Sequence, residues 1–326
     1  MRSAVIAGTG SSLPERILTN RDLEKIVDTS DDWILTRTGI RERRVAGPGE
    51  RLSLYATKAA EQALAMAGIP SSRLDMIICA TVTPDMPVPA TACFIQNNLG
   101  APKCAAFDMQ AGCSGFIYAL TVAKQFIITG RYGAILVIGA ELLSKYIDWK
   151  DRTTCVIFSD GAGAVLMTAG DPPRGVLATS IHTDGAMADY IMIPGGGTAY
   201  PTTETTVREG LHTIKMRGNE TFKIAIRAIE EVSREVIQAA GLRPEDIDLF
   251  VPHQANLRII DGVAQRLGLD PSRIFVNIDR IGNTSAASIP IALDEAVRAG
   301  LVKKESILLF AAFGAGLTWG ASVVRW

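Results

Sequence analysis

Three short stretches carry the side chains best suited to do chemistry: DMQAGCSGF (108–116), VPHQANLRII (251–260) and IGNTSAAS (281–288). In the first, Cys113 stands between Gly112 and Ser114, directly before the apolar run GFIYALTVAKQFIITG (115–130). The preceding AAFDMQA reads as a strand, so the thiol is expected where a strand turns into a buried helix. Free N–H groups and the positive end of the helix dipole face such a corner. Both stabilise thiolate over thiol, which predicts a lowered pKa for Cys113. Gly112 and Ser114 suit the turn, where backbone must come close and a cap is favoured. A cysteine is otherwise an ordinary small buried hydrophobe, and Cys79, Cys93, Cys104 and Cys155 read that way. His253 ends an apolar strand beside Pro252 and opens a helix with HQAN; packing alone has little use for it there, although a hydrogen-bonded core histidine is the plainer role. Asn283 is either an N-cap or an amide N–H₂ donor aimed at a carbonyl oxygen. A fourth stretch, FGAGLTWG (313–320), is a Gly-rich turn that either bends the chain or offers backbone N–H groups to an oxyanion. A thiol nucleophile with nearby donors to a carbonyl is the equipment of acyl transfer.

The elements that must position these groups repeat. Strand-like and helix-like segments alternate throughout, which predicts an α/β architecture. AMAGIPSSRLDMIICA (65–80) is echoed by QAAGLRPEDIDLFVPH (238–253), and Ala67 and Ala240 are 173 positions apart. AILVIG (134–139) is echoed by SILLFA (306–311), with Ile135 and Ile307 offset by 172. The agreement predicts a duplicated unit, with halves at 1–172 and 173–326. Carried forward, the offset sets Cys113 opposite Ala286 and His253 opposite Ala80. All three chemical groups therefore sit at strand ends or strand-to-helix turns of equivalent elements. Halves packed about a pseudo-twofold axis would bring those ends together, at the carboxyl edge where α/β sheets bind ligands.

Bulk properties remove several function classes. The 326 residues are 48% hydrophobic and 21% charged, with a net charge of −1, so no global field draws the chain to nucleic acid or anionic lipid. No apolar run approaches the roughly 20 residues of a membrane span, and the first apolar stretch is too short for a signal-peptide core. Five cysteines without a CxxC pair argue against a disulfide framework or zinc knuckle and for a reducing cytoplasm. Three histidines without HExxH spacing argue against a metal site. GTGSSLP (8–14) lacks the Gly-Lys-Ser/Thr of a phosphate loop. The basic stretch TRTGIRERR (36–44) is a solvated face or, with Trp33 just upstream, a holder of an anionic ligand with a stackable ring.

Taken in order, SDDWILTRTGIRERR, AGCSGF, VPHQAN, GNTSAAS and FGAGLTWG resemble the β-ketoacyl-acyl carrier protein synthase III family, condensing enzymes of type II fatty acid synthesis. The resemblance implies a thiolase-like fold of duplicated halves in αβαβα layers, as a homodimer in the cytoplasm without membrane insertion. It implies Cys113 as nucleophile, His253 and Asn283 as donors to the enolate, and the Cys113 and Ala315 N–H groups as the oxyanion site. Substrates would be an acyl-CoA and malonyl-acyl carrier protein, with no tightly bound cofactor and no metal. Trp33, Arg37 and Arg152 match coenzyme A contacts. Arg258 matches the arginine that docks the acidic carrier protein, with Lys223 and Arg266 beside it; Gln265 and Arg266 stand where members often carry two lysines. Phe158 and Val88 match acyl-pocket positions, Val88 on a loop that closes the partner's pocket. Val88 replaces a common Phe, which implies room for a branched or medium-length acyl starter. Polyketide and alkylquinolone starter synthases share this pattern. A cysteine thioester hydrolase or a non-catalytic acyl-CoA binder are readings of another class, but a hydrolase needs an activated water and no base beyond His253 is evident.

Overall fold

Runs of Ile, Val, Leu and Ala form strands covered on both faces, and the chain wraps helices around them. The computed structural model describes residues 2–326. The first sheet holds β1 (Ser3–Ser12), β2 (Met76–Ala80), β3 (Ala105–Met109), β4 (Ala134–Leu142) and β5 (Asp160–Gly170), in the order β1-β5-β4-β2-β3. Its helices are α1 (Leu52–Ala67), α2 (Thr91–Asn98) and α3 (Gly115–Ile128). The second sheet holds β6 (Gly175–Thr183), β7 (Leu249–Pro252), β8 (Ile307–Gly314) and β9 (Thr318–Arg325), in the order β6-β9-β8-β7. Its helices are α4 (Gly218–Ala239), α5 (Leu257–Leu267) and α6 (Ser288–Arg298).

The two orders are the same pattern. β6, β9, β8 and β7 occupy the places of β1, β5, β4 and β2, with the same parallel and antiparallel pairings. The fifth place, filled by β3 in the first sheet, is reduced in the second to a single bridge between Phe250 and Ile274. Parallel neighbours need helical crossovers, which α2 and α3 supply in the first sheet.

Helix α3 is apolar nearly all round, as a helix buried on every side must be. It lies with α6 between the two sheets, and one core cluster joins Phe116, Ile117 and Leu120 to Ile78, Val137, Val251 and Phe310 from both sheets. The Ala-rich face of α1 covers the outside of the first sheet, and Val232 and Val236 of α4 cover the outside of the second. The result is the layered, duplicated αβαβα arrangement expected from the motifs. A satellite cluster of Leu18, Ile34, Val156 and Phe158 builds a flank beside the strand ends. Among the described residues no helix is long and apolar enough to cross a membrane.

Candidate active site

Cys113 sits in a one-turn 3-10 segment, Gly112–Ser114, between β3 and α3. Two glycines make that corner. Gly112 has φ +53°, and a Cβ there would lie 2.8 and 2.9 Å from the backbone N and O of Ala315. A Cβ on Gly314 would lie 2.6 Å from the Cys113 nitrogen. The two turns are therefore in backbone contact, and the N–H groups of Cys113 and Ala315 both reach the Cys113 sulfur. Ser114 does not cap the helix: its hydroxyl donates to the Thr318 carbonyl at 3.0 Å and ties the corner to β9.

The expected lowering of the Cys113 pKa is reversed. The half-buried thiol sits deep among protein atoms, and that desolvation pushes it up to about 11. The neighbouring Ser285 hydroxyl opposes the shift, the charge of Glu141 adds to it, and the two backbone N–H groups only partly offset it. Loss of hydration outweighs the favourable dipole and N–H groups that the turn supplies. At rest Cys113 is a thiol.

His253 follows β7 and is buried, with its N–H bonded to Ala311 at 2.8 Å. Burial pushes its pKa down to about 3, so the ring is neutral. Its Nδ1 lies 2.6 Å from Ser288 Oγ, the first residue of α6. That oxygen already accepts the Gln254 N–H at 3.4 Å, so its own proton is free to point at Nδ1. The remaining ring proton then belongs on Nε2. Asn283 is also buried, and its Oδ1 accepts the Ser285 N–H at 2.8 Å. This bond fixes which end of the amide is oxygen and leaves the Nδ2 protons for the cavity. Asn283 is therefore no helix cap. Its backbone pairs instead with Ile157 and Ser159, on either side of Phe158.

Cys113, His253, Asn283 and Phe158 line one cavity of about 830 Å³. Trp33, Arg37, Arg152, Lys223 and Arg258 line it as well. The Ser30 hydroxyl caps the short helix Asp31–Thr38 by accepting the Trp33 N–H. Arg37 lies 4.6 Å and Arg152 5.4 Å from the Trp33 ring centroid, cation–π distances that gather positive charge round one indole. Arg258 lies 5.1 Å from the Phe222 ring. Two expected residues stand apart. Arg266 is paired at 2.9 Å with Glu230, which also holds Arg234 at 3.1 Å, and it does not line the cavity. Val88 is 82% exposed on the loop after β2 and lines no part of this chain's cavity.

Two family models match the chain, both described as 3-oxoacyl-[acyl-carrier-protein (ACP)] synthase III: one over residues 107–185, and one for the C-terminal part over residues 237–326. A β-ketoacyl-[acyl-carrier-protein] synthase III of Caldanaerobacter subterraneus is 55% identical, over 99% of this chain and 98% of that one. The chain belongs to the 3-oxoacyl-[acyl-carrier-protein] synthase III family. The crystal structure of the member from Aquifex aeolicus superposes with a TM-score of 0.92 at 49% identity, covering 99% of this chain and 100% of that one. A priming β-ketosynthase of the R1128 polyketide pathway reaches the same TM-score of 0.92 at 32% identity, over 99% of this chain and 96% of that one. The fold is thus shared with a polyketide priming enzyme, at lower identity than to the Aquifex member.

Three polar residues in this family member escaped the sequence reading: Ser285, Ser288 and Glu141. The serines lie in the GNTSAAS stretch, where attention fell on the asparagine. Glu141 is the last residue but one of β4, whose residues are all buried. An acidic side chain inside an otherwise apolar strand was the available signal.

Proposed function

We propose that the enzyme starts fatty acid synthesis by condensing an acyl-CoA with malonyl-acyl carrier protein, through an acyl group held on Cys113. The observation that carries this reading is the convergence of two backbone N–H groups on a thiol whose cavity also holds the His253 ring and the Asn283 amide. The Cys113 sulfur attacks the acyl-CoA carbonyl, the oxyanion sits under the Cys113 and Ala315 N–H groups, and CoA leaves. Malonyl-acyl carrier protein then enters. As CO₂ departs, His253 Nε2–H and the Asn283 Nδ2 protons hold the enolate oxygen. Both donors are neutral, so neither is consumed by titration near pH 7. The resulting carbanion attacks the acyl carbon and releases 3-oxoacyl-carrier protein. The substrates supply all the reacting groups, and no cofactor is required.

Arg37 and Arg152 suit the phosphates and adenine of CoA, with Trp33 as the stacking face. For a ring to stack between Trp33 and Arg152, that half-exposed arginine swings away from the indole. Docking of the acidic carrier protein rests on Arg258 and Lys223 at the cavity mouth. Arg266 adds little while Glu230 holds it. Val88 acts across a homodimer, its exposed side chain entering a second copy's acyl pocket and leaving space for branched or medium-length starters. Five free cysteines suit a reducing cytoplasm.

Intact mass and peptide mapping after brief incubation with acetyl-, isobutyryl- and hexanoyl-CoA test the reading. One acyl group on Cys113, absent from Cys113→Ala, is the expected result, and the fastest adduct ranks the starters. No adduct with any of the three would overturn it. Turnover confined to acetyl- and propionyl-CoA would remove the argument from Val88.

A further inference from the structure

The thiol must lose a proton to become a nucleophile, and the histidine beside it is poorly placed to take it. His253 carries its ring proton toward the cavity and is too weak a base when buried. A different group also acts on the sulfur. Glu141 has 0% of its surface exposed, at the carboxyl end of β4. Its carboxylate accepts the Thr83 hydroxyl at 2.6 Å, the Val82 N–H at 3.1 Å, the Thr81 hydroxyl at 3.3 Å and the Ser285 hydroxyl at 3.2 Å. Thr81 and Thr83 have no freedom in this. Each oxygen already accepts a backbone N–H, from Thr83 and Leu142 respectively, so each hydroxyl proton is committed to Glu141.

Ser285 is different. It alone of the four links the two: its hydroxyl bonds the carboxylate, and its turn packs against the turn that carries Cys113, where it acts on the thiol. It does so from a left-handed backbone, φ +49°, which a non-glycine residue adopts only under constraint. Its N–H bond to Asn283 Oδ1 holds it there. A hydroxyl has one proton and two acceptor lone pairs, so it can receive from the thiol while it donates to the carboxylate.

We propose that Glu141 takes the Cys113 proton through Ser285 during acylation, stores it for the lifetime of the acyl-enzyme, and returns it during condensation. In acylation the Sγ proton moves to Ser285 Oγ as the Ser285 proton moves to Glu141 Oε1. The sulfur's electron pair forms the bond to the acyl carbon, the C–S bond to CoA breaks, and CoA departs as its thiolate. In condensation the carbanion left by CO₂ adds to the acyl carbon and the C–S bond to Cys113 breaks. The stored proton then returns through Ser285 to the sulfur. Each turnover ends with the thiol and carboxylate restored.

The electrostatics suit this duty. An ionised carboxylate beside the sulfur opposes a free thiolate, yet among the described residues no basic side chain pairs with Glu141 to soften it. Once neutralised by the proton it has taken, it opposes nothing. Burial pushes Glu141 up to about 7, against the pull of its four donors, which makes it a far better base than an ordinary carboxylate. The other titratable groups near it are Cys79 on β2 and Tyr146 beyond β4, both pushed up by burial first and by Glu141's charge second or later. On β5 its pairing partner is Gly161, and the adjacent Asp160 is held by Ser144 and Ala46. None of these supplies a positive charge.

Glu141 touches neither substrate nor sulfur, so it is a positioning residue acting through Ser285. The relay rests on Cys113 being the acylated group, and infrared difference spectroscopy on the acyl-enzyme separates the two ideas. With ¹³C-labelled Glu, acylation should bring up a carboxylic acid C=O band, absent from Glu141→Gln and from Ser285→Ala. Rapid-quench acylation should slow on the order of 10²-fold in both variants. The wild-type rate should rise with pH through about 7 as Glu141 ionises, whereas Glu141→Gln should climb toward the thiol range near 11. Glu141→Asp should recover part of the rate. If Glu141→Gln fails to fold, Ser285→Ala and the wild-type band decide. An acylated Cys113 with no acid band overturns the relay and leaves the nucleophile standing. A Cys113 that never acylates overturns the nucleophile and the relay together.

Discussion

At Cys113 two influences of opposite sign meet in one side chain. The turn supplies N–H groups that favour the thiolate, and burial removes the water that would favour it more. The motif showed the first and concealed the second, because hydration depends on what the rest of the chain places around the sulfur. Asn283 was more legible: its residue type and turn pointed to a donor, though only the Ser285 N–H bond fixes which way the amide faces. That bond also selects the informative substitution. Asn283→Asp keeps an oxygen for Ser285 but loses the Nδ2 protons and adds negative charge beside the enolate. Decarboxylation and condensation should fall by roughly 10²–10³-fold, while acylation of Cys113 by acyl-CoA proceeds. Separate assays of ¹⁴CO₂ release from malonyl-acyl carrier protein and of acyl adduct formation check this. Equal loss of both would mean that Asn283 holds the cavity together rather than the enolate.

Between elements, the decisive contact is turn against turn. The segment joining β3 to α3 and the segment joining β8 to β9 touch through glycine, and a methyl group on either would force the two apart. Gly112→Ala adds a positive-φ penalty to the collision with Ala315. It should cost about 1–3 kcal/mol of stability and most of the acylation rate. Gly185→Ala, with nothing within 4 Å of its added Cβ, should change neither. Urea unfolding and adduct formation measured on both variants give the comparison, and an active, stable Gly112→Ala would remove these turns from the account. The sequence placed both turns correctly but misjudged Ser114. A serine before an apolar helix reads as a cap, yet here its hydroxyl serves the Thr318 carbonyl across the fold. Long-range partners of that kind leave no local signature.

For the molecule as a whole, the two buried groups of the site give stability a pH dependence of opposing slopes. Glu141, raised from 4.5 to about 7, contributes stability that is full below 4.5 and lost as pH rises through 7. His253, lowered from 6.5 to about 3, contributes stability that is full above 6.5 and lost as pH falls toward 3. At about 1.4 kcal/mol per unit each changes by about 3 kcal/mol between pH 7 and 4.5, in opposite directions. The pair therefore leaves wild-type stability nearly level across that window. Glu141→Gln should instead lose stability steadily as pH falls from 6.5, and urea midpoints across the range read it directly. Parallel curves for the two proteins would show that Glu141 is solvated and carries no such shift. The architecture itself was legible from two echoes with matching offsets, because duplicated strands keep their spacing when most side chains have changed. The fifth strand of the second sheet was not, since it survives only as the bridge at Ile274.

Duplication also assigns unequal work to its copies. The corner matching Cys113 belongs to Ala286, which is buried at the opening of α6. It is pressed between Gly115 of α3 and Gly139 of β4, where even the glycines' missing methyl groups would have met it. A sulfur there would have neither space nor a path to solvent. One repeat has thus become tool and the other anvil: the silent corner fixes where the thiol of its counterpart can stand.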